Sequence, residues 1–327
     1  MTRTIKKPAT REEWLAARKP YIGGSEVAIV LGLSPWKTPV DLWLEKTGHR
    51  EPDDTPSEAM RLGNELEDYA ARRYTEQTGL AVRNYGYMIL DDDAHLCADV
   101  DRLVVPAGES VAAFRDEIRT NTILECKTGG AWEDGEIPAH YQAQAMTYLA
   151  LSGCERCDFA AVFLAPRRDF RGDLSVERDD DVCAAIREKV KAWFERHVLG
   201  DTAPEAVCEA DCKALWAASR GIEIAATSMV AQAVADLRAT ADQIRSLEAH
   251  EEELRTVIMA HMGEADTLVD ATGHKLATWK SPKPTAKTDW KAVAAELGAR
   301  EEPAWVQRIV DSHTETKPGA RRFLLAK

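Results

Sequence analysis

Residues 123–146 read ILECKTGGAWEDGEIPAHYQAQAM. The stretch opens as a β-strand and closes as a helix, and the strand places charge where an apolar run should continue. Side chains alternate along a strand, so Glu125 and Lys127 leave it on one face and Cys126 on the other. Two readings of that pair are open at this point. One is a solvent-facing ion pair, worth about 0–1 kcal/mol. The other is a carboxylate that binds a metal beside a cation that positions or activates a nucleophile.

Outward from this strand, two dozen residues upstream, ADVDRLVV (98–105) reads as the preceding strand and carries Asp101. Paired antiparallel, the two strands set Asp101 opposite Glu125. Two carboxylates at one depth repel unless a cation lies between them. A hard divalent ion with oxygen ligands, Mg²⁺ or Mn²⁺, satisfies them, and the backbone carbonyl of Cys126 is a further donor. Asp99 rivals Asp101, because alternation puts both on one face. A third carboxylate, Glu67, lies in the helical pattern 57–78, with Gly63 one turn earlier to admit close approach to the sheet. Its neighbours Glu65 and Asp68 are expected to face solvent.

The order along the chain predicts an α/β (α+β) domain with a mixed sheet flanked by helices. Helical patterns fall at 11–19, 26–31, 41–47, 57–78, 138–153 and 180–197. Strand patterns fall at LAVRNYGYMIL, HLCADVDRLVV, NTILECKT, CDFAAVFLAP and DFRGDLSVE. Ser25, after Gly23-Gly24, is placed to cap the second helix. The domain is expected to close near Pro204, giving domains 1–204 and 205–327. The C-terminal part reads as a long helix over 228–262, a hairpin with Thr-Gly at its tip, a basic linker SPKPTAK and a final strand in ARRFLLAK. Val230, Leu237, Ile244 and Ile258 share one heptad position, which suits a helical hairpin, a coiled-coil contact or packing against residues 205–225.

Composition narrows the class. The 327 residues are 45% hydrophobic and 30% charged, as in an ordinary globular protein. The net charge of −13 argues against coating nucleic acid by charge alone, though not against a local basic channel. No apolar run is long enough to span a membrane and the N-terminal stretch lacks an apolar core, so a cytoplasmic location is expected. Seven cysteines have no disulfide spacing. Cys154/Cys157 and Cys208/Cys212 are spaced as metal pairs, but fifty residues apart, and the first pair, following directly on a helical pattern, reads better as small buried hydrophobes.

An aspartate, then Glu-x-Lys, with a helical glutamate before them is the pattern of the PD-(D/E)xK nuclease core. YIGGSEVAIVLGLSPWKTPVDLWLEKTG, GNELEDYAARRYTEQTG, CADVDRLV, ILECKT, IPAHYQAQAMTYLALSG and CDFAAVFLA occur in order over residues 11–200. Together they closely resemble the YqaJ-type viral recombinases, phage exonucleases related to lambda exonuclease. The resemblance implies metal binding by Glu67, Asp101, Glu125 and the Cys126 carbonyl, with one or two Mg²⁺ (or Mn²⁺) ions per site. It implies that Lys127 positions or activates the attacking water and that Gln144 completes the catalytic motif. Arg18 and Ser25 match the family's Arg-x6-Ser contact to the terminal 5′ phosphate. Implied too are 5′→3′ digestion of linear double-stranded DNA, a 3′ overhang passed to a single-strand annealing protein, and a ring-shaped trimer. This chain departs from the family pattern with Val100-Asp101-Arg102 in place of the usual small residue or Pro, then Asp-Gly. Met146 stands where a second glutamine often occurs. Trp36 and Trp132 are either base-stacking or core aromatics. Rival readings are an iron–sulfur nuclease, a non-catalytic DNA-end-binding module and an endonuclease on the same core.

Overall fold

The computed structural model describes residues 3–51, 55, 57–109, 118–281, 289–299 and 302–314. The chain divides into two compact units, 1–215 and 216–327.

In the first unit, β1 (Arg3–Lys6) and α1 (Arg11–Arg18) precede the short β2 (Ile22–Gly23). Helices α2 (Gly24–Val30), α3 (Pro39–Thr47) and α4 (Glu58–Thr78) follow. Then come β3 (Val82–Asn84), β4 (Met88–Asp91), β5 (Leu96–Asp99), β6 (Arg102–Val104) and β7 (Thr122–Gly130). Helix α5 (Ala139–Ser152), strands β8 (Arg156–Ala165) and β9 (Asp169–Glu177), and helices α6 (Asp180–Trp193) and α7 (Glu209–Leu215) complete it. Helix ends obey local chemistry. Thr38, Ser57 and Asp179 cap α3, α4 and α6 with their side-chain oxygens, and Gly48, Gly79 and Gly153 end α3, α4 and α5 in the left-handed region.

The strands form a mixed five-stranded sheet in the order β3-β6-β7-β8-β9 and a four-stranded sheet in the order β1-β4-β5-β2. Among the described residues only β7–β8 and β2–β5 pair in parallel. The flanking helices make this the expected mixed α/β fold. On one face of the larger sheet, Leu124, Ala160 and Val162 pack with Ala70 and Tyr74 of α4. On the other, Ile123, Leu103 and Phe159 pack with Leu149 of α5 and Ile186 of α6. The Tyr74 hydroxyl donates to the buried Asp158 at 2.5 Å and ties α4 to β8.

Three expectations change. The patterns at 80–90 and 96–105 are not single strands. Each breaks in two, so one long hairpin feeds both sheets. Asn84 pairs with Arg102 and Met88 with Asp99, leaving Tyr85, Gly86 and Tyr87 opposite Val100 and Asp101. The extra residue, with Gly86 at φ +64°, kinks the ribbon in the manner of a bulge. Gly63 does not mediate a close approach, since a Cβ there would meet open space. The first unit runs past Pro204 because Thr38 donates to the buried Asp211 of α7 at 2.7 Å. Of the spaced cysteines, Cys154 and Cys157 are buried free thiols, in keeping with small hydrophobes, as are Cys97 and Cys183, whereas Cys208 and Cys212 are exposed.

The second unit contains α8 (Ser228–Met262), the hairpin β10 (Thr267–Val269) and β11 (Lys275–Thr278), and helices α9 (Trp290–Gly298) and α10 (Pro303–Ser312). The α8 bounds agree with the sequence reading. Its seam residues Val230, Leu237, Ile244 and Ile258 are exposed. The expected strand in ARRFLLAK lies outside the described residues, as does most of the basic linker.

Replacing Tyr74 by Phe leaves Asp158 short of a donor. An increase in urea sensitivity equivalent to about 1–2 kcal/mol is expected, measured by equilibrium unfolding.

Candidate active site

The register of β6 on β7 pairs Arg102 with Leu124, so Asp101, one residue before, falls opposite Glu125. The Cys126 N–H donates to Asp101 Oδ2 at 2.8 Å and fixes that carboxylate. Glu125 is 3% exposed. Lys127 Nζ donates to Glu125 Oε1 at 2.6 Å and to Gln144 Oε1 at 3.0 Å. Gln144 Nε2 donates to the same Glu125 oxygen at 2.7 Å and to the Tyr148 hydroxyl at 3.0 Å. The second oxygen, Glu125 Oε2, is buried with no hydrogen-bond partner among the described residues.

The electrostatics follow from this crowding. Burial first, then the Glu125 charge, raises the Asp101 pKa well above the ordinary aspartate range. Burial raises Glu125 as well, against the opposing pull of Lys127. Burial works against the charged form of Lys127, but Glu125 and Asp101 outweigh it and raise its pKa. Lys127 is therefore an ammonium. The surface ion-pair reading of Glu125 and Lys127 does not survive this degree of burial.

A second cluster adjoins the first. Arg18 Nη2 donates to Ser25 Oγ at 3.2 Å and lies 3.6 Å from Glu26 Oε2. The guanidinium also lies over the Trp14 ring and 4.0 Å from Asp99. Glu26 Oε2 accepts from Gly23 N–H at 2.7 Å and lies 3.0 Å from Lys46 Nζ. So Gly23, not Ser25, is the N-cap of α2, and Glu26 supplies the cap's carboxylate. That correction leaves the Ser25 hydroxyl to Arg18.

The glycine pair has a steric cause. A Cβ on Gly23 would sit 2.3 Å from Arg18 Nη2, and one on Gly24 would sit 2.3 Å from Tyr148 Cε1. Gly23 thus admits the guanidinium, and Gly24 admits the tyrosine that holds Gln144.

Residues 13–155 match the YqaJ-like viral recombinase domain. Over 286 residues the chain is 32% identical to the uncharacterized protein YqaJ of Bacillus subtilis strain 168, covering 83% of each chain. The chain belongs to the YqaJ-like viral recombinase family. Among solved structures it is similar to the alkaline exonuclease of Laribacter hongkongensis, at 26% identity and a TM-score of 0.45 over 58% of this chain and 93% of that one. It is also similar to a putative exonuclease from Eubacterium rectale, at 11% identity and a TM-score of 0.43 over 68% of this chain and 98% of that one.

In this YqaJ-family chain the sequence-predicted residues assemble unevenly. Asp101, Glu125, Lys127 and Gln144 form one connected group, and Arg18 and Ser25 form another. Asp99 and Asp101 do not act together, because the strand breaks between them. Asp99 turns to Trp14 and Arg18, while Asp101 turns to Cys126. Glu67 comes from the α4 side and is engaged by Arg102. Arg102 Nη1 donates to Glu67 Oε1 at 2.5 Å and to the Asp101 carbonyl at 2.8 Å, and Nη2 donates to Asp68 Oδ1 at 2.7 Å. Asp68 faces solvent, as does Glu65, in keeping with the sequence reading, and Asp68 pairs with Arg102 from there. Arg102, the last residue of the Val100-Asp101-Arg102 departure noted in the sequence, is the group that holds Glu67. Sequence reasoning missed Glu26, Lys46 and Tyr148. Glu26, three residues after Gly23, carried a capping signal.

The donor set fits a hard divalent cation in part. Two opposed carboxylates and the orphaned Glu125 Oε2 suit one. Glu67 stays on Arg102, and among the described residues no three His, Cys, Asp or Glu side chains are gathered as a metal site. Asp101, Glu67, Asp99, Trp14 and Arg102 line one cleft of about 370 Å³.

Two outcomes follow. In EDTA at neutral pH, Asp101→Asn relieves the repulsion and raises the melting temperature, by the equivalent of about 1–3 kcal/mol, whereas Lys127→Met lowers it. Burial raises the Glu26 pKa, but Lys46 and Arg18 outweigh it and bring it below the ordinary 4.5. A lowered folded pKa contributes stability above the unfolded value and loses it as pH falls through the folded value. Glu26→Gln is thus expected to cost about 3 kcal/mol at pH 7, with the gap narrowing as pH falls below 4.5 in parallel denaturation curves.

Proposed function

We propose that this chain is a metal-dependent 5′→3′ exonuclease on linear double-stranded DNA that leaves 3′ single-stranded overhangs. The observation that carries this reading is the buried Asp101–Glu125 pair, with a partnerless Glu125 oxygen and Lys127 locked beside it. Membership of the YqaJ-like viral recombinase family supports it. Asp101, Glu125 and the Cys126 carbonyl would hold one or two Mg²⁺ (or Mn²⁺) ions, joined by Glu67 once Arg102 yields it. The metal, when bound, offsets charge on the scissile phosphate and eases deprotonation of water.

The chain's own groups divide the remaining work. Lys127 would serve as a cation and donor that positions or activates the attacking water and offsets charge on the phosphate. Gln144 holds Lys127 and Glu125 at once and keeps the ammonium from swinging into solvent. Tyr148, seated on Gly24, holds Gln144. Arg18 and Ser25 present a guanidinium and a hydroxyl on the neighbouring surface, suited to a terminal 5′ phosphate. Glu26 and Asp99 hold that guanidinium in place before the phosphate arrives. The overhang produced would be the substrate of a single-strand annealing protein, and a homotrimeric ring would keep the enzyme on its DNA.

The test is digestion of a 5′-phosphorylated linear duplex with Mg²⁺ and with EDTA, alongside a closed circular control. Shortening from the 5′ ends that requires Mg²⁺ is expected, with at least a hundredfold loss of rate in Lys127→Ala, equivalent to roughly 3 kcal/mol of transition-state stabilisation. Cutting of the closed circle would make the chain an endonuclease. Equal cutting by Lys127→Ala, or none by wild type, would reduce it to an end-binding module.

A further inference from the structure

Beyond Lys127 the strand runs into Thr128, Gly129 and Gly130, and there the surface opens into a second cleft of about 350 Å³. Its walls are aromatic: Trp36, Trp132, His140, Tyr141 and Phe163. The two tryptophans differ in kind. Trp132 is packed against Tyr141, Phe159 and Phe163 and belongs to the core. Trp36 is 70% exposed and touches the His140 ring edge-on at 4.9 Å. An indole left that far in water, with only a ring edge beside it, is poorly explained by the packing of the unit itself.

Three further observations concern what would enter. A Cβ at Gly129 or at Gly130 would meet nothing within 4 Å, and neither residue has a positive φ. Neither close packing nor backbone conformation calls for glycine there, and its effect is to leave the cleft floor bare. Among the described residues His140 Nε2 is buried without a hydrogen-bond partner, and burial, followed by the Lys127 charge, lowers the ring's pKa and favours the neutral form. Lys127 itself closes one end, with Nζ lying over the Tyr141 ring at 4.7 Å. The cleft is thus flat-walled, aromatic, sized for a single small ring system and joined to the catalytic lysine.

We propose that this cleft takes one unpaired nucleobase of the DNA strand being cut, with Trp36 as the stacking platform. Aromatic faces bind bases without regard to sequence, as a processive nuclease requires. A base seated here lies next to Lys127, so a nucleotide unstacked from the duplex end would have its phosphate directed toward Asp101 and Glu125. Trp36 is a binding and positioning residue in this scheme, and the scheme rests on the nuclease reading above.

The test uses the full chain and reads binding, so that it does not depend on turnover. Affinity is measured in EDTA at fixed salt by fluorescence anisotropy, on duplexes carrying an abasic site at each of the three terminal nucleotides of either strand. For wild type, one abasic position is expected to weaken binding roughly 5- to 100-fold. Trp36→Ala should weaken binding to intact DNA by a similar factor and show no added loss on the abasic duplex, the signature of coupling. Gly129→Leu, which puts a side chain on the bare floor, should behave likewise, with an unchanged melting temperature showing that the fold is intact. A released mononucleotide offers the same ring chemistry, so dAMP is titrated in parallel. Trp36-dependent dAMP binding without coupling to any strand position would assign the cleft to product and overturn the strand-base proposal. Fully additive losses, with no Trp36-dependent dAMP binding, would overturn the cleft altogether. Coupling in a chain that cuts no DNA with Mg²⁺ would sink the nuclease reading and leave the base site standing.

Discussion

One hydrogen bond, from the Cys126 amide to Asp101, depends on the register that sets two carboxylates opposite each other in the middle of an apolar sheet. That placement opposes folding: burial and repulsion both disfavour the charged pair. The surrounding structure answers it. Lys127 brings a positive charge to Glu125, Gln144 bridges the two, and Tyr148 braces Gln144 from the next turn of α5. None of these groups is far enough from the others to be exchanged independently.

The same logic extends to the Arg18 cluster. A half-buried guanidinium needs anions, and Glu26 and Asp99 supply them. It also needs room, and Gly23 supplies that by having no side chain. Two adjacent glycines therefore serve two different cations' surroundings. Gly23 admits Arg18 directly, and Gly24 admits Tyr148, which reaches Lys127 through Gln144. A turn that reads as mere punctuation is a steric hinge point between the two polar clusters.

Much of this was legible in the sequence where the physics is local. Alternation put Glu125 and Lys127 on one face, the helical period outlined α4 and α5 to within a residue or so, and an uninterrupted pattern bounded α8. What failed was long-range. A continuous β pattern over 96–105 gives no hint that the chain leaves one sheet at Asp99 and joins another at Arg102, so Asp99 and Asp101 looked equivalent. Ser25 looked like a cap because its competitor, the Glu26 carboxylate, reaches back to the same turn. Gly63 invited a close-packing reading, but Ala70 and Tyr74, further along α4, make the contact with the sheet. Glu67 looked free to bind metal because nothing in its own helix announces Arg102, thirty-five residues away. The two tryptophans could not be told apart by type, only by their exposure.

The kink between the sheets sets a length. Asp99 belongs to the Arg18 cluster and Asp101 to the Lys127 cluster, and only Val100 separates them. Two residues of extended chain span at most about 7 Å. The two polar clusters are therefore joined by covalent bonds along a path too short to stretch, not by side-chain packing that breathes. Under the proposed activity, the distance from an anchored strand end to the bond being cut is built into the peptide backbone itself. The chain would carry its own ruler, graduated in residues and read out in nucleotides.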